Sequence, residues 1–523
     1  MILTFDFGSS ITKVALWDPD TPRTAGGRGG LVAWSGAPVE TAHPRPGRSE
    51  QDPASWWESL VAACGEVGTR HPEQFAKVDV IGCTGARQTM ALVDADARPL
   101  GPAILWSDRR AGEEARGMGR EPPGEGSARF AASTLTGPAT PPAPFSPAGI
   151  ALDGASVAAK LAWLRAEEPD RLAAAAWVLT PRDLVVRWLT GVVATDPTMA
   201  SRSGLYQTDG RVDQALAGAS AGLLPGPVPS DRVTGTITAV AADALGLAAG
   251  TPLAIGAGDR ACEVLGSAAS EVCPMVSWGT TANLSVPVGV PPAVVPAGVV
   301  LSRSASEGWL LEGGLSAAGS LVAWIGRLTG QAPETLAESA AQSPPGARGV
   351  VATPWLEGAR APWWREDAAV GFEGLQAGHG PGDLARAAFE AVAWEVQRCL
   401  EVAGGRRPSG PEPTGLVLGG SGAAIGVWAD VLTGVTGLPA SSRRSGQAAS
   451  AGAALLAARA VGIGCDLDGL DPADPGAGRP HPDPAAVRDY RSLRGRSDRM
   501  VAAALGLAAG DPAVDTSEDS TCG

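Results

Sequence analysis

The chain opens on an apolar run, Ile2 to Phe5, that meets a turn at Asp6-Phe7-Gly8-Ser9-Ser10 and resumes as Thr12 to Trp17. Lys13 and Val14 fall on opposite faces of the second run, so the pattern predicts strand, tight turn, strand. Further strands are expected between Val78 and Leu105, ending on Trp106-Ser107-Asp108-Arg109-Arg110. Residues 111–149 are rich in Gly, Pro, Ser and Thr and read as a long irregular excursion over a surface or cleft. Helical spacing runs from Ala158 to Trp188 and is interrupted at Thr180-Pro181. Small residues at Leu245 to Gly250 end a helix, and Thr251 to Ile255 starts a strand leading into Gly256-Ala257-Gly258-Asp259, which puts a domain boundary near Gly250.

The second half then repeats the opening. Met275-Val276-Ser277 leads into Trp278-Gly279-Thr280-Thr281 and on to Ala282 to Val286. Apolar strand, glycine, two adjacent hydroxyls and second strand recur once per half, as a duplicated architecture would give. Gly415 to Leu418 reads as a buried strand entering Gly419-Gly420-Ser421-Gly422-Ala423, with a helix through Trp428 to Val435 and an Ala-rich helix from Ser450 to Val461. The expected division is 1–249, 250–465 and a C-terminal extension 466–523, whose acidic tail after Asp511 should be disordered.

Composition narrows the function. The 523 residues carry a net charge of −14, with 44% hydrophobic and 18% charged residues, which argues against a disordered chain and against a general nucleic-acid or anionic-membrane binder. Seven scattered Cys without a CxxC pair, and four distant His, make a disulfide framework or a structural zinc site improbable. A metal would be a hard cation on oxygen ligands, such as Mg²⁺. The N-terminus lacks the basic start and apolar core of a signal peptide, and no apolar run is long enough to span a bilayer, so a soluble cytoplasmic protein is expected.

The loops suggest phosphate chemistry. Glycines allow close backbone approach, hydroxyls donate, and a nearby cation offsets charge. Gly8-Ser9-Ser10 with Lys13 fits this, as does Gly279-Thr280-Thr281; alone, such residues usually just make a turn, and the pair, placed once per half, is the stronger signal. Asp6 beside the first loop is either a turn carboxylate or a Mg²⁺-water ligand. Asp259, at a strand end after three small residues, is either a helix cap or a general base for a substrate hydroxyl. GxxxxGK[ST] is absent, while Gly256 to Ala261 matches the loose GxGxxA form of a dinucleotide loop and keeps an NAD(P)-dependent oxidoreductase as an alternative. Arg87, Gln88, Trp106 and Asp108 at strand ends suit a sugar, whose hydroxyls take polar partners and whose C–H faces stack on a ring.

Taken together, these segments resemble the FGGY carbohydrate kinases, the group holding xylulokinase, glycerol kinase, gluconokinase and ribulokinase, over about residues 1–465. Asp6 to Lys13 is similar to that family's first phosphate loop. Ser49 to Pro53 with Trp56-Trp57 resembles a xylulokinase segment, and Ala103 to Arg110 one shared with glycerol kinases. Leu179 to Asp183, Leu189 to Gly191, and Thr195-Asp196 through Ala200-Ser201 follow the family's course. The resemblance implies an α/β fold of two actin-like (ribonuclease-H-like) ATPase domains flanking a catalytic cleft. It implies ATP and Mg²⁺ as cofactors, with Asp259 as catalytic base. ATP would lie on Gly8, Ser9, Ser10, Lys13, Gly279, Thr280, Thr281, Gly319, Gly420, Ser421, Gly422 and Ala423. Asp6, through water, and Asp259 would hold Mg²⁺. A small sugar or polyol would be bound by Arg87, Gln88, Trp106, Asp108, Asp259 and Arg260. A homodimer is a family-level expectation. Gly85 to Thr89 matches neither the xylulokinase nor the glycerol kinase pattern in full. Arg260 stands where the family usually has Asn or Gln; it would either favour an acidic sugar or a phosphate-bearing group, or form a salt bridge to Glu263 or another neighbour. The expected reaction is phosphorylation of D-xylulose to xylulose 5-phosphate. The alternatives are a glycerol, other polyol or sugar-acid kinase of the same family, and a non-catalytic sugar or nucleotide sensor on a kinase scaffold.

Overall fold

Two six-stranded sheets carry the chain, and five strands of each share a topology. The computed structural model describes residues 1–20, 30–118, 150, 152–404, 411–443, 446–466 and 481–507. In the first sheet, Ile2–Phe7 pairs antiparallel with Ile11–Trp17, which pairs antiparallel with Leu31–Pro38. The other edge of Ile2–Phe7 takes Val80–Gly85 and then Pro252–Gly258, both parallel, and Val233–Thr236 closes the sheet antiparallel. In the second sheet, Met275–Trp278 pairs antiparallel with Ala282–Val288, followed by Trp309–Leu315 and Val300–Arg303. Its other edge takes Leu416–Gly419 and Ala440–Ser442, both parallel. The duplicated strand–loop–strand unit is therefore the same antiparallel start in each half, and the architecture is the expected pair of actin-like α/β domains. All six residues of Ile2–Phe7 are buried, as a central strand covered on both faces requires.

The boundary expected near Gly250 is corrected by this topology. Pro252–Gly258 completes the first sheet, because an apolar strand buried from Leu253 onward needs the parallel edge of Val80–Gly85. Gly250, at φ +87°, marks a turn and not a domain edge. Likewise, helix Ala448–Ala460 from the chain's second half packs Ala451, Ala454 and Leu455 against Ile2, Trp17 and Val80 of the first sheet. Its opposite face, through Ala453 and Leu456, meets helix Asp259–Gly266 together with Met275 and Leu310.

These two helices touch backbone to backbone. A Cβ on Gly452 would stand 2.0 Å from the Cys262 carbonyl oxygen, and one on Gly266 would stand 1.8 Å from that of Ala448. Gly452→Ala is expected to cost about 1–3 kcal/mol of stability, read as a lower denaturation midpoint at unchanged slope; an unchanged midpoint would refute the close approach.

Helix Pro484–Leu505 belongs to the second half. Tyr490 is buried against Gly434 and bonded to Arg386 and Glu390, and Asp498 pairs with Arg398. The expected disordered tail lies outside the described residues, as does 119–149 of the irregular excursion; Gly112–Gly117 of that stretch is helical. Among the described residues no helix is long and apolar enough to cross a membrane.

Candidate active site

A cavity of about 200 Å³ lies between the halves, lined by Ser9, Arg87, Gln88, Trp106 and Arg202 from the first and by Thr281, Asn283, Glu312 and Arg360 from the second, with Asp259 and Arg260 at the join. Seven sequence-predicted residues (Ser9, Arg87, Gln88, Trp106, Asp259, Arg260 and Thr281) thus meet in one place.

Asp259 opens helix Asp259–Gly266 directly after the strand Pro252–Gly258. Its placement comes from glycines and a buried polar network. Gly256 has φ +70°, and a Cβ there would lie 1.6 Å from the Cys83 carbonyl oxygen; a Cβ on Gly258 would lie 2.7 Å from Arg87 Cδ. Both glycines sit inside the strand and serve packing, so the GxGxxA match is no dinucleotide loop. The Gly258 N–H donates to Thr198 Oγ1 at 2.7 Å, and Thr198 donates to Asp196. Asp196 in turn takes Arg182 Nη1 at 2.8 Å, and Arg182 also donates to Asp183 and to the Gly256 carbonyl.

Arg87 organises the cavity's charge. Its Nη1 and Nη2 donate to the two carboxylate oxygens of Glu312 at 2.8 and 2.7 Å, and its Nε lies 3.5 Å from Asp259 Oδ1. Burial opposes ionisation of Glu312, but the Arg87 guanidinium outweighs it and holds the carboxyl well below the usual range. Ser302 also donates to Glu312. Gln88 adopts φ +64°, a left-handed conformation that a side chain rarely takes. The buried Lys160 ammonium donates to the Gln88 and Leu105 carbonyls at 2.9 and 2.6 Å, and burial pushes it down to about 7. Trp106 Nε1 donates to Ser9 Oγ at 2.7 Å, which joins the first loop to the expected sugar side.

Asp108 does not line the cavity. It is fully buried, accepts from the Ser49 N–H at 2.7 Å, and is paired with Arg110 at 2.8 Å. The expectation that it binds sugar is corrected: a strand-end Asp two residues before an Arg closes a local ion pair. Arg260 pairs with Glu263, which also accepts from Ser277 Oγ, and it lines the cavity at the same time.

The first loop turns tightly, with the Gly8 N–H donating to the Ile11 carbonyl. Asp6 sits opposite Lys13 in the ladder, and Lys13 Nζ lies 3.8 Å from Asp6 Oδ2. Burial pushes the Asp6 carboxyl up to about 6 against the pull of Lys13, and Asp259 and Glu263 add to the rise. Because the folded state holds this proton more tightly than the unfolded chain, stability falls as pH rises from the ordinary carboxylate range through about 6. Asp6→Asn is therefore expected to raise ligand-free stability by about 2–3 kcal/mol near neutral pH, with the gain fading toward about pH 4. Denaturation midpoints of the two proteins across pH check this; parallel curves would contradict it.

The second loop docks on helix Gly319–Thr329. The Gly319 N–H donates to the Gly279 carbonyl at 3.0 Å, and a Cβ on Gly319 would lie 2.6 Å from that oxygen. Gly420, at φ +73°, and Gly422 press on Trp278, whose ring also meets Trp428 at 4.0 Å. Gly319 and Gly422 of the turn Ser421–Ala424 thereby meet at one buried indole.

Arg202, Glu312, Arg360 and Asn283 also line the cavity and carry no expectation from sequence. Glu312 left one usable signal: a lone acid inside the apolar strand Trp309–Leu315.

Residues 1–266 match the N-terminal domain, and residues 275–461 the C-terminal domain, of the FGGY family of carbohydrate kinases. The chain belongs to this family. It is 28% identical over 468 residues to the xylulose kinase of Escherichia coli K12, covering 87% of this chain and 89% of that one. It is 32% identical over 387 residues to the glycerol kinase of Thermus brockianus, covering 70% and 73%. The crystal structure of the xylulose kinase from Rhodospirillum rubrum is 26% identical, with a TM-score of 0.79 over 96% of this chain and 98% of that one. Membership makes the chain an ATP-dependent kinase of a small sugar or polyol.

Proposed function

We propose that Asp259 takes the proton from an acceptor hydroxyl in the cavity while the γ-phosphoryl of ATP is transferred to it. One observation carries the assignment. Of the two carboxylates lining the cavity among the described residues, Glu312 is 2% exposed and has both oxygens bound by Arg87, whereas Asp259 is 44% exposed and its near partners, the Arg260 N–H at 2.6 Å and Arg87 Nε at 3.5 Å, both lie on Oδ1. Asp259 thus keeps Oδ2 open to accept a proton, and general-base help is worth about 10²–10⁴-fold. Ser9, Ser10, Thr280 and Thr281 with Lys13 would position the phosphates, since phosphoryl transfer needs placement and charge stabilisation above all.

Among the described residues no three His, Cys, Asp or Glu side chains are grouped to hold a metal on their own. Asp6 and Asp259 offer carboxylate oxygens only, which suits a cation that keeps water and phosphate ligands, as Mg²⁺ does. Bound there, the ion would neutralise phosphate charge. A cavity near 200 Å³ is below drug-sized pockets and suits one small acceptor. The names of the relatives support a neutral ketose such as xylulose; the arginine lining favours an acidic one. ADP release from Mg·ATP across ketoses, polyols and sugar acids tests the reading. Asp259-dependent turnover of an acceptor is expected, and ATP binding without any turnover would favour a sensor.

A further inference from the structure

Arg87, Arg202 and Arg360 line the cavity with Arg109 close behind, and among the described residues Glu312 and Asp153 are the carboxylates that Arg360, Arg109 and the terminal nitrogens of Arg87 pair with. Arg87 takes both oxygens of Glu312. Arg360 and Arg109 share Asp153, at 3.2 and 3.6 Å. Arg202 is left over. It is 9% exposed and lines the cavity, and among the described residues its one side-chain bond is from Nη2 to Gln88 Oε1 at 3.2 Å. Among the described residues its Nε and Nη1 have no hydrogen-bond partner, and neither does Arg360 Nε. Burial pushes Arg202 down to about 10; Glu312 pulls the other way, while Arg87 and Arg360 repel it. A buried guanidinium with no carboxylate bonded to it is costly, and because Nη2 spends one N–H on Gln88, its other N–H can form a fork with Nε or Nη1 that matches a carboxylate.

We infer that the acceptor carries a carboxylate, bound by Arg202 with Arg360 beside it. The inference rests on the kinase reading of this cavity. The charges run in the order Asp259, Arg87, Glu312, Arg202, so the acid group would sit at the end of the acceptor remote from the hydroxyl that is phosphorylated.

The test compares kcat/KM for sugar acids with that for the neutral polyol of the same chain length, D-gluconate against D-glucitol among them, with a sugar monophosphate and D-xylulose included. The wild-type protein is expected to prefer an acid over its neutral partner by about tenfold or more. Arg202→Gln should cut that ratio by about 10- to 100-fold, mainly through KM, and Arg202→Lys should restore part of it. The wild-type ratio needs no variant, and Arg360→Gln provides a second one should Arg202→Gln fail to fold. Asp259-dependent turnover that favours neutral acceptors, or a sugar phosphate, would overturn the carboxylate inference and leave the kinase reading standing. A ratio unmoved by Arg202→Gln would overturn it too. No turnover of any acceptor would overturn both.

Discussion

Asp259→Asn is expected to lower kcat by about 10²–10⁴-fold while ATP still binds. The change keeps the shape of the side chain and removes its ability to take a proton. At 44% exposure the residue contributes little to packing, so the fold should survive. Arg87 remains tied to Glu312 through both terminal nitrogens, which keeps the acceptor side of the cavity formed. Titration with ATP and steady-state kinetics separate the two effects. Turnover within about threefold of wild type would remove Asp259 from the role of base, because that is far below the contribution expected of one.

Asp196→Ala is expected to be the most destabilising single change near the site, at about 3–5 kcal/mol. Asp196 and Arg182 are both fully buried and joined at 2.8 Å. Asp196 also accepts from Thr198 N, Thr198 Oγ1 and Ser230 Oγ. Removing the carboxylate leaves a buried guanidinium with Asp183 as its one remaining acid and strands two hydroxyls. It also frees Thr198, which anchors the Gly258 N–H next to Asp259. A lowered denaturation midpoint should therefore come with reduced kcat even where the variant is folded. A loss under about 1 kcal/mol would mean that the network is not what holds the catalytic strand end.

The sequence made the local chemistry legible and left the long-range pairings hidden. The loops at Gly8 and Gly279 were readable because strand, glycine and hydroxyls are contiguous in each. Asp259 was readable because three small residues precede it at a strand end. Arg87 was readable as a polar group near a sugar, but its partner Glu312 is 225 residues away. Arg202 lies in helix Pro197–Arg202, where an arginine at the last turn passes for an ordinary surface residue. Only the meeting of that helix with Arg87 and Arg360 makes it a buried cation. Asp108 misled for the converse reason: its partner Arg110 is two residues away, and the pair closes on itself. Gly250 looked like a domain edge because a turn glycine and a following strand have the same appearance within a sheet as between sheets.

The most direct test of the account is the fate of label from [γ-³²P]ATP in the presence of Mg²⁺ and an acceptor that supports turnover. Direct transfer within the cleft predicts label in the acceptor, lost with Asp259→Asn, and none on the protein. Label recovered on the protein as an intermediate, or only as inorganic phosphate, would contradict it.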